Sequence, residues 1–207
     1  MPSKESATFI RMNIAPESAA RAGLVVLVFF LLSVFIWPSS AAAQVAPRYE
    51  VFGGYSYMRF DSPTIGYSDY SNLNGWNAEG VFNLKLKWGV AVDASGHYGS
   101  QLSSYHYFLG PQYSWRREKS KFFFHGLFGK AENVVGISVP PRSDIKSVGL
   151  SFGGGGGFDW YFKPRITIRV VQADYFNTST FGATQNDVRI STGIVINFGH
   201  IGHRPKL

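Results

Sequence analysis

Between Tyr49 and Phe198 the chain alternates apolar and polar residues with a period of two, in eight separate stretches. Successive side chains of a β-strand point to opposite faces, so this pattern predicts strands with one apolar side and one polar side. The second stretch is the cleanest: Trp76, Ala78, Gly80, Phe82 and Leu84 share one parity, and Asn77, Glu79, Val81 and Asn83 share the other. The third sets Trp88, Val90, Val92, Ala94 and Tyr98 against Asp93, Ser95 and His97. The fourth, sixth and eighth follow suit around Tyr107, Phe152 and Ile194. The first, fifth and seventh are broken by Phe52, by Phe123 and Leu127, and by Gln172 and Asp174. In the seventh the parity changes after Ile166, Ile168 and Val170, which predicts a β-bulge near Val171.

Eight strands of roughly ten residues match the length of a tilted strand crossing a bilayer. A soluble barrel would turn the apolar parity inward, whereas a membrane barrel turns it to lipid. Tyr57, Trp76, Trp88, Tyr98, Tyr105, Trp115, Trp160 and Phe198 sit near strand ends on the apolar parity, as aromatic girdles do. Turned inward, those rings would overfill so narrow a barrel. The expected fold is therefore all-β: an eight-stranded antiparallel up-and-down transmembrane barrel.

The first segment reads as an address. Lys4, Arg11 and Arg21 precede an apolar run from Ala22 to Trp37, and Ser39 to Ala43 are small. A basic start, a short apolar core and small residues make a secretory signal. The apolar run is short of the ~20 residues that a helix needs to span a bilayer. Residues 1–43 are expected to be removed, leaving a barrel domain at 44–207 with a short tail from 199. The chain has no cysteine, which excludes disulfides, thiolate metal sites and a lipid anchor on sulfur.

Tight connections are expected at Leu84–Lys87, Arg117–Ser120 and Lys163–Pro164. Longer ones are expected at Asp61–Asn74, Gly99–Ser103, Glu132–Lys146 and Asn177–Gln185. Short turns on one side and long loops on the other predict periplasmic chain ends. The formal charge is +7, and the cations gather at the turn end, Lys85, Lys87, Arg117, Lys119, Lys121 and Lys163 among them. Such a belt suits the anionic headgroups of outer-membrane lipids. Without an aromatic-lined basic groove, no nucleic-acid partner is expected.

The stretches VFGGYSYMR (Val51–Arg59) and YFLGPQY (Tyr107–Tyr113) resemble OmpA- and OmpX-like small outer-membrane barrels. The likeness continues through FGGGGGFDWYF, RITIRVVQADYF and QNDVRISTGIVINFG, an order similar to the outer-membrane β-barrel proteins of acidobacterial genomes. The resemblance implies an outer-membrane barrel and names no activity. It also implies an insertion signal read by the barrel-assembly machinery, with Ser191 at the polar position, Gly193 at the glycine, and Ile196 and Phe198 at the apolar positions. Residues beyond Phe198 depart from the family habit of ending on that aromatic.

The polar parity is where chemistry would reside. Glu50, Glu79, Asp93, Asp159 and Asp187 face the same lumen as Arg116, Arg169 and Arg189. Buried charges persist when paired, so a network is expected. His97, His106 and His125 share that parity, but no two have a close ligand spacing, and they read as hydrogen-bonding members of a polar interior. Gly153–Gly157 lacks the strand, helix and lysine context of a phosphate loop and reads as wall curvature. Some eight-stranded barrels act on lipid A through a lipid-facing His and Ser. Here His97 is on the inward parity, and no third group orients it with Ser100. No metal, cofactor or enzymatic activity is expected. The expected role is a monomeric structural and surface-display barrel with a plugged interior. A narrow solute or ion channel and a soluble lipocalin-like periplasmic binder are the competing classes.

Overall fold

The computed structural model describes residues 46–62, 69–137 and 143–201. The expected signal segment 1–43 and its cleavage site lie outside them, as do Arg142, Arg204 and Lys206. Eight strands follow one another: β1 (Tyr49–Phe60), β2 (Ser71–Asn83), β3 (Trp88–Tyr98), β4 (Leu102–Arg116), β5 (Ser120–Ile137), β6 (Ser143–Lys163), β7 (Ile166–Thr180) and β8 (Ala183–Phe198). Each pairs antiparallel with its sequence neighbours, and β1 pairs with β8 from Tyr49↔Phe198 to Arg59↔Val188, closing the barrel. Closure leaves no open sheet edge around the ring, the condition for a sheet in hydrocarbon.

The faces are those of a membrane barrel. Val51, Val92, Leu109, Phe124, Phe128, Leu150, Phe152, Ile190 and Ile194 are exposed, while Glu79, Asp93, Asp159, Arg169 and Arg189 are buried. The apolar outer surface is thus continuous from strand to strand, which water would penalise and lipid rewards. Aromatic pairs mark both rims. Near one end Tyr98 meets Tyr105 with centroids 5.7 Å apart, and Trp76 Nε1 donates to Tyr98 Oη at 3.3 Å. Near the other, Tyr49 stacks on Phe82 at 5.3 Å and Trp88 meets Tyr113 edge-on at 5.1 Å.

The bulge in β7 is present. Arg169 pairs with Gly193 and Gln172 with Ser191, so β7 spends one more residue than β8 over that interval. The same extra residue appears against β6, where Asp159↔Arg169 is followed by Phe158↔Val171. Val170 and Val171 both face outward, and Gln172 and Asp174 return to the lumen.

The connections differ from expectation. Strands β5 and β6 run through most of Glu132–Lys146, leaving only 138–142 between them, and β7 and β8 run through Asn177–Gln185 to a turn at Phe181 and Gly182. Both turn residues have positive φ, 54° and 73°, the geometry of a two-residue hairpin that glycine favours. The link between β3 and β4 is likewise short, and β2 begins at Ser71, before the expected end of the first loop. These segments read as loops because their outward residues are polar, and polarity marks a strand that has left the hydrocarbon as well as one that has ended. Gly153–Gly157 lies inside β6, where a Cβ on Gly155 would strike Asp174 Oδ1 and the carbonyl oxygen of Ala173.

Candidate functional site

Inward positions of all eight strands build one chain of ion pairs across the lumen. Glu50 on β1 accepts from Arg116 Nη2 on β4 at 2.5 Å and from Lys121 Nζ on β5. Lys121 reaches Asp159 on β6 at 2.8 Å, and Asp159 accepts from Arg169 Nε on β7 at 3.0 Å. Arg169 Nη1 donates to Glu79 on β2 at 2.8 Å. His125 on β5 lies between Glu79, at 3.3 Å, and Asp174, at 2.8 Å. Asp174 accepts from Arg189 Nη2 at 2.8 Å, and Arg189 holds Asp93 on β3 through a two-pronged contact of 2.8 and 2.9 Å.

Most of these links join strands that are not neighbours in the sheet: β1 with β5, β2 with β7, β3 with β8. They therefore cross the lumen rather than run along the wall. The acids Glu50, Glu79, Asp93, Asp159 and Asp174 alternate with Arg116, Lys121, Arg169, Arg189 and His125, and each residue is at most 6% exposed. Burial at that level requires partners, and here each acid has two cationic neighbours or a bidentate one.

The apolar exceptions to alternation have a place in this arrangement. Phe52 and Phe123 point inward, and the Arg169 guanidinium lies over both rings, 4.3 and 4.2 Å from their centroids. Phe176 does the same for Arg189 at 4.9 Å. A desolvated guanidinium over an aromatic face is stabilised by the ring quadrupole, by about 2 kcal/mol. The inward phenylalanines thus solvate cations where water is scarce.

Toward the loop end, apart from Asp61 and Asp187 at the mouth, the described lumen side chains are uncharged hydroxyls, amides, imidazoles and apolar groups. Ser56 Oγ contacts His97 Nε2 at 2.8 Å and Ser191 Oγ at 2.9 Å. Asn133 donates to Thr180 at 2.8 Å and accepts from Ser104 at 2.6 Å. His106 stacks between Phe108 and Phe176 at 5.5 and 5.7 Å, and its ring lies 6.4 Å from that of His97. No group of three or more His, Cys, Asp or Glu suited to a metal ion occurs among the described residues. Above this level Met58, Phe60, Leu73 and Leu102 form a small apolar cluster.

Two expectations about charge are corrected here. Lys121 belongs to the lumen, not to the headgroup belt: its parity is that of Phe123 and His125, and its position beside the turn hid this. Among the described residues Asp187 pairs with no arginine; its Oδ1 accepts from the backbone nitrogen of Asp61 at 2.9 Å. The strand pairing puts Asp187 opposite Phe176, nearer the loop end than Arg189, whose guanidinium is directed to Asp93 and Asp174 instead. Lys121, His125 and Asp174 are network members that charge counting alone missed; strict parity, followed through the bulge, selects all three. On β8, Ser191 is buried in the lumen, Gly193 packs against Gly53 and Gly54 of β1, and Ile196 and Phe198 face outward, 44% and 50% exposed.

A closed eight-strand wall, apolar outside and ion-paired inside, defines a transmembrane β-barrel of the small outer-membrane class, and a barrel of this class belongs in the cell outer membrane. No family model and no curated protein matches the sequence. Among solved structures, the fold is similar to Neisserial surface protein A, with a TM-score of 0.59 at 12% identity, covering 75% of this chain and 99% of that one. It is also similar to Ail, the attachment invasion locus protein of Yersinia pestis, with a TM-score of 0.56 at 17% identity, covering 73% and 99%. At these identities the likeness is one of fold.

Proposed function

We propose that the protein is a structural and surface-display barrel of the outer membrane with a closed interior. The single observation that carries this reading is the lumen-crossing chain from Arg116 through Glu50, Lys121, Asp159, Arg169, Glu79, His125 and Asp174 to Arg189 and Asp93. A barrel of eight strands has space inside for side chains and little more. Here that space holds long charged side chains locked to opposite walls, so a hydrated ion would have to displace paired charges. The role left to such a protein is to brace the membrane and to present its loop-end strands to the outside. The paired extensions of β5 and β6 around 138–142 are the longest such segment. Purified protein in planar bilayers is expected to give no steady conductance; a steady single-channel conductance would overturn the closed interior in favour of a narrow channel.

The same reading makes β8 the strand recognised by the barrel-assembly machinery, with Ile196 and Phe198 as its outward apolar positions and outer-membrane lipids as the surrounding partner. Phe198→Asp is expected to leave the protein degraded or stranded in the periplasm, while Phe198→Tyr inserts normally. Normal insertion of the Asp variant, measured by membrane fractionation, would remove this assignment.

A further inference from the structure

His106 is fully buried on β4, yet neither its Nδ1 nor its Nε2 has a hydrogen-bond partner. An imidazole carries at least one N–H, so burying the ring without a partner is costly unless something else meets its nitrogens. The hydroxyls that the strand register sets beside it are engaged elsewhere. Ser95, opposite on β3, accepts from Arg189 Nη1 at 2.9 Å, and Ser104, the preceding inward residue of β4, donates to Asn133 at 2.6 Å. Phe108 and Phe176 lie nearly parallel to the His106 ring and offer its nitrogens nothing.

A third orphaned nitrogen, Nδ1 of His97, belongs to the diagonal neighbour. Strands β3 and β4 pair His97↔Ser104 and Ser95↔His106, and the two imidazole centroids are 6.4 Å apart. His97 is held in place from its other side. It reaches across Gly75 of β2, where a Cβ would strike the backbone of Gly96 and His97, and its Nε2 meets Ser56 Oγ of β1 at 2.8 Å. Ser56 Oγ in turn contacts Ser191 Oγ at 2.9 Å. A ring fixed through one nitrogen presents the other, as metal-ligating histidines do.

We infer that His97 and His106 form a binding site for copper(I) in the loop-end half of the lumen, with the Met58 thioether as a further ligand. Two metal–nitrogen bonds of about 2 Å and the half-widths of two imidazoles together span roughly 6 Å, in keeping with the separation of these rings. Met58 is the next inward residue of β1 after Ser56 and is fully buried. Imidazole and thioether donors together suit copper(I), which accepts two or three ligands. Zinc asks for four, and the carboxylates on the turn side of the pair, Asp93 and Asp174, are committed to Arg189. A single positive charge is also less costly to bury near that arginine than a divalent ion. This inference is independent of the closed-interior reading, because neither histidine belongs to the lumen-crossing chain.

The experiment refolds the full mature chain in phosphatidylcholine vesicles with equimolar copper(I), under anaerobic and reducing conditions, so that the metal need not pass a closed lumen. Retained copper is titrated with a chromogenic copper(I) chelator. The wild type is expected to hold about one copper per chain, and X-ray absorption to show imidazole nitrogens at about 2 Å together with a sulfur neighbour. His106→Leu is expected to fold at least as well as the wild type without copper, since it removes an unpartnered polar ring, and to bind copper about a hundredfold more weakly. His97→Leu should lose the same affinity, and it serves as the second variant if His106→Leu does not fold. Met58→Leu keeps both nitrogens and should weaken binding about tenfold, with the sulfur gone from the spectrum; unchanged affinity there would remove the thioether from the site. Copper held elsewhere on the chain is common to all the variants and cancels in the comparison. No copper on the wild type, or equal affinity in the wild type and in His106→Leu or His97→Leu, would overturn the site and leave the two rings bridged by water.

Discussion

The two halves of the lumen are lined by the same eight strands but held by different chemistry. The turn-end half is filled by charged side chains that reach across the barrel, and the loop-end half, below the acids Asp61 and Asp187 at the mouth, by hydroxyls and amides linked in short local bonds, with two histidines among them. The charged half lies level with outward-facing Val51, Val92 and Leu109; Glu79 pairs with Asp93 across β2 and β3, and their flanking positions Gly80 and Val92 face lipid. The neutral half lies level with Tyr57, Tyr98 and Tyr105 near the rim. Where hydrocarbon surrounds the wall, charges interact strongly and a pair between opposite strands fixes which strands face one another. Nearer the mouth, neutral hydrogen bonds suffice, because losing one exposes no uncompensated charge.

That contrast orders the effects of substitution. Arg169→Ala leaves Glu79 and Asp159 short of a cation and empties the space between Phe52 and Phe123, so it should cost about 3–5 kcal/mol in urea-dependent unfolding from vesicles. Lysine at the same position should recover only part of this, since it lacks the planar fork that serves two carboxylates and two rings. Lys121→Met should cost less, about 2 kcal/mol, because Glu50 keeps Arg116 and Asp159 keeps Arg169. The two variants share Asp159, so their effects should fail to add, and additivity would show that the chain is not coupled. Ser56→Ala, in the neutral half, should cost about 1 kcal/mol through the lost contacts with His97 and Ser191. Smallest of all, Lys146→Ala breaks an ion pair with Glu132 in which the side chains are 57% and 28% exposed, and unfolding should move by less than about 0.5 kcal/mol. A loss at Ser56 as large as that at Arg169 would erase the distinction between the halves.

Parity explains how much of this could be read in the sequence. The assignment of faces, the number of strands and the bulge near Val171 all follow from alternation, because lipid demands apolar side chains on one face without relief. Strand ends were less legible. Glu132, Asn177 and Ser179 sit in regular strand, but past the hydrocarbon nothing forces the outward residues to be apolar, and the segments resemble loops. Within the lumen, Glu50, Glu79, Asp93, Arg116, Arg169 and Arg189 are marked by charge and parity together. The partners are not, since a crossing such as Lys121 with Glu50 depends on the diameter of the closed ring, which no local pattern encodes. The inward Phe52 and Phe123 look like defects in alternation until the guanidinium between them is known.

The bulge in β7 bears on how such walls change length over evolutionary time. In a strictly alternating strand, a single inserted codon would exchange the two faces of everything downstream, delivering Asp174 to lipid and Tyr175 to the lumen. Here the surplus residue is absorbed within one rung, by letting Val170 and Val171 face outward in succession, and the neighbouring strands keep their phase on both sides. Any pair of consecutive lipid-compatible residues offers the same refuge. Single-residue insertions and deletions in these barrels should therefore survive at apolar doublets and be lost elsewhere, so that Val170–Val171 is the place in β7 where removal of one residue would do least harm.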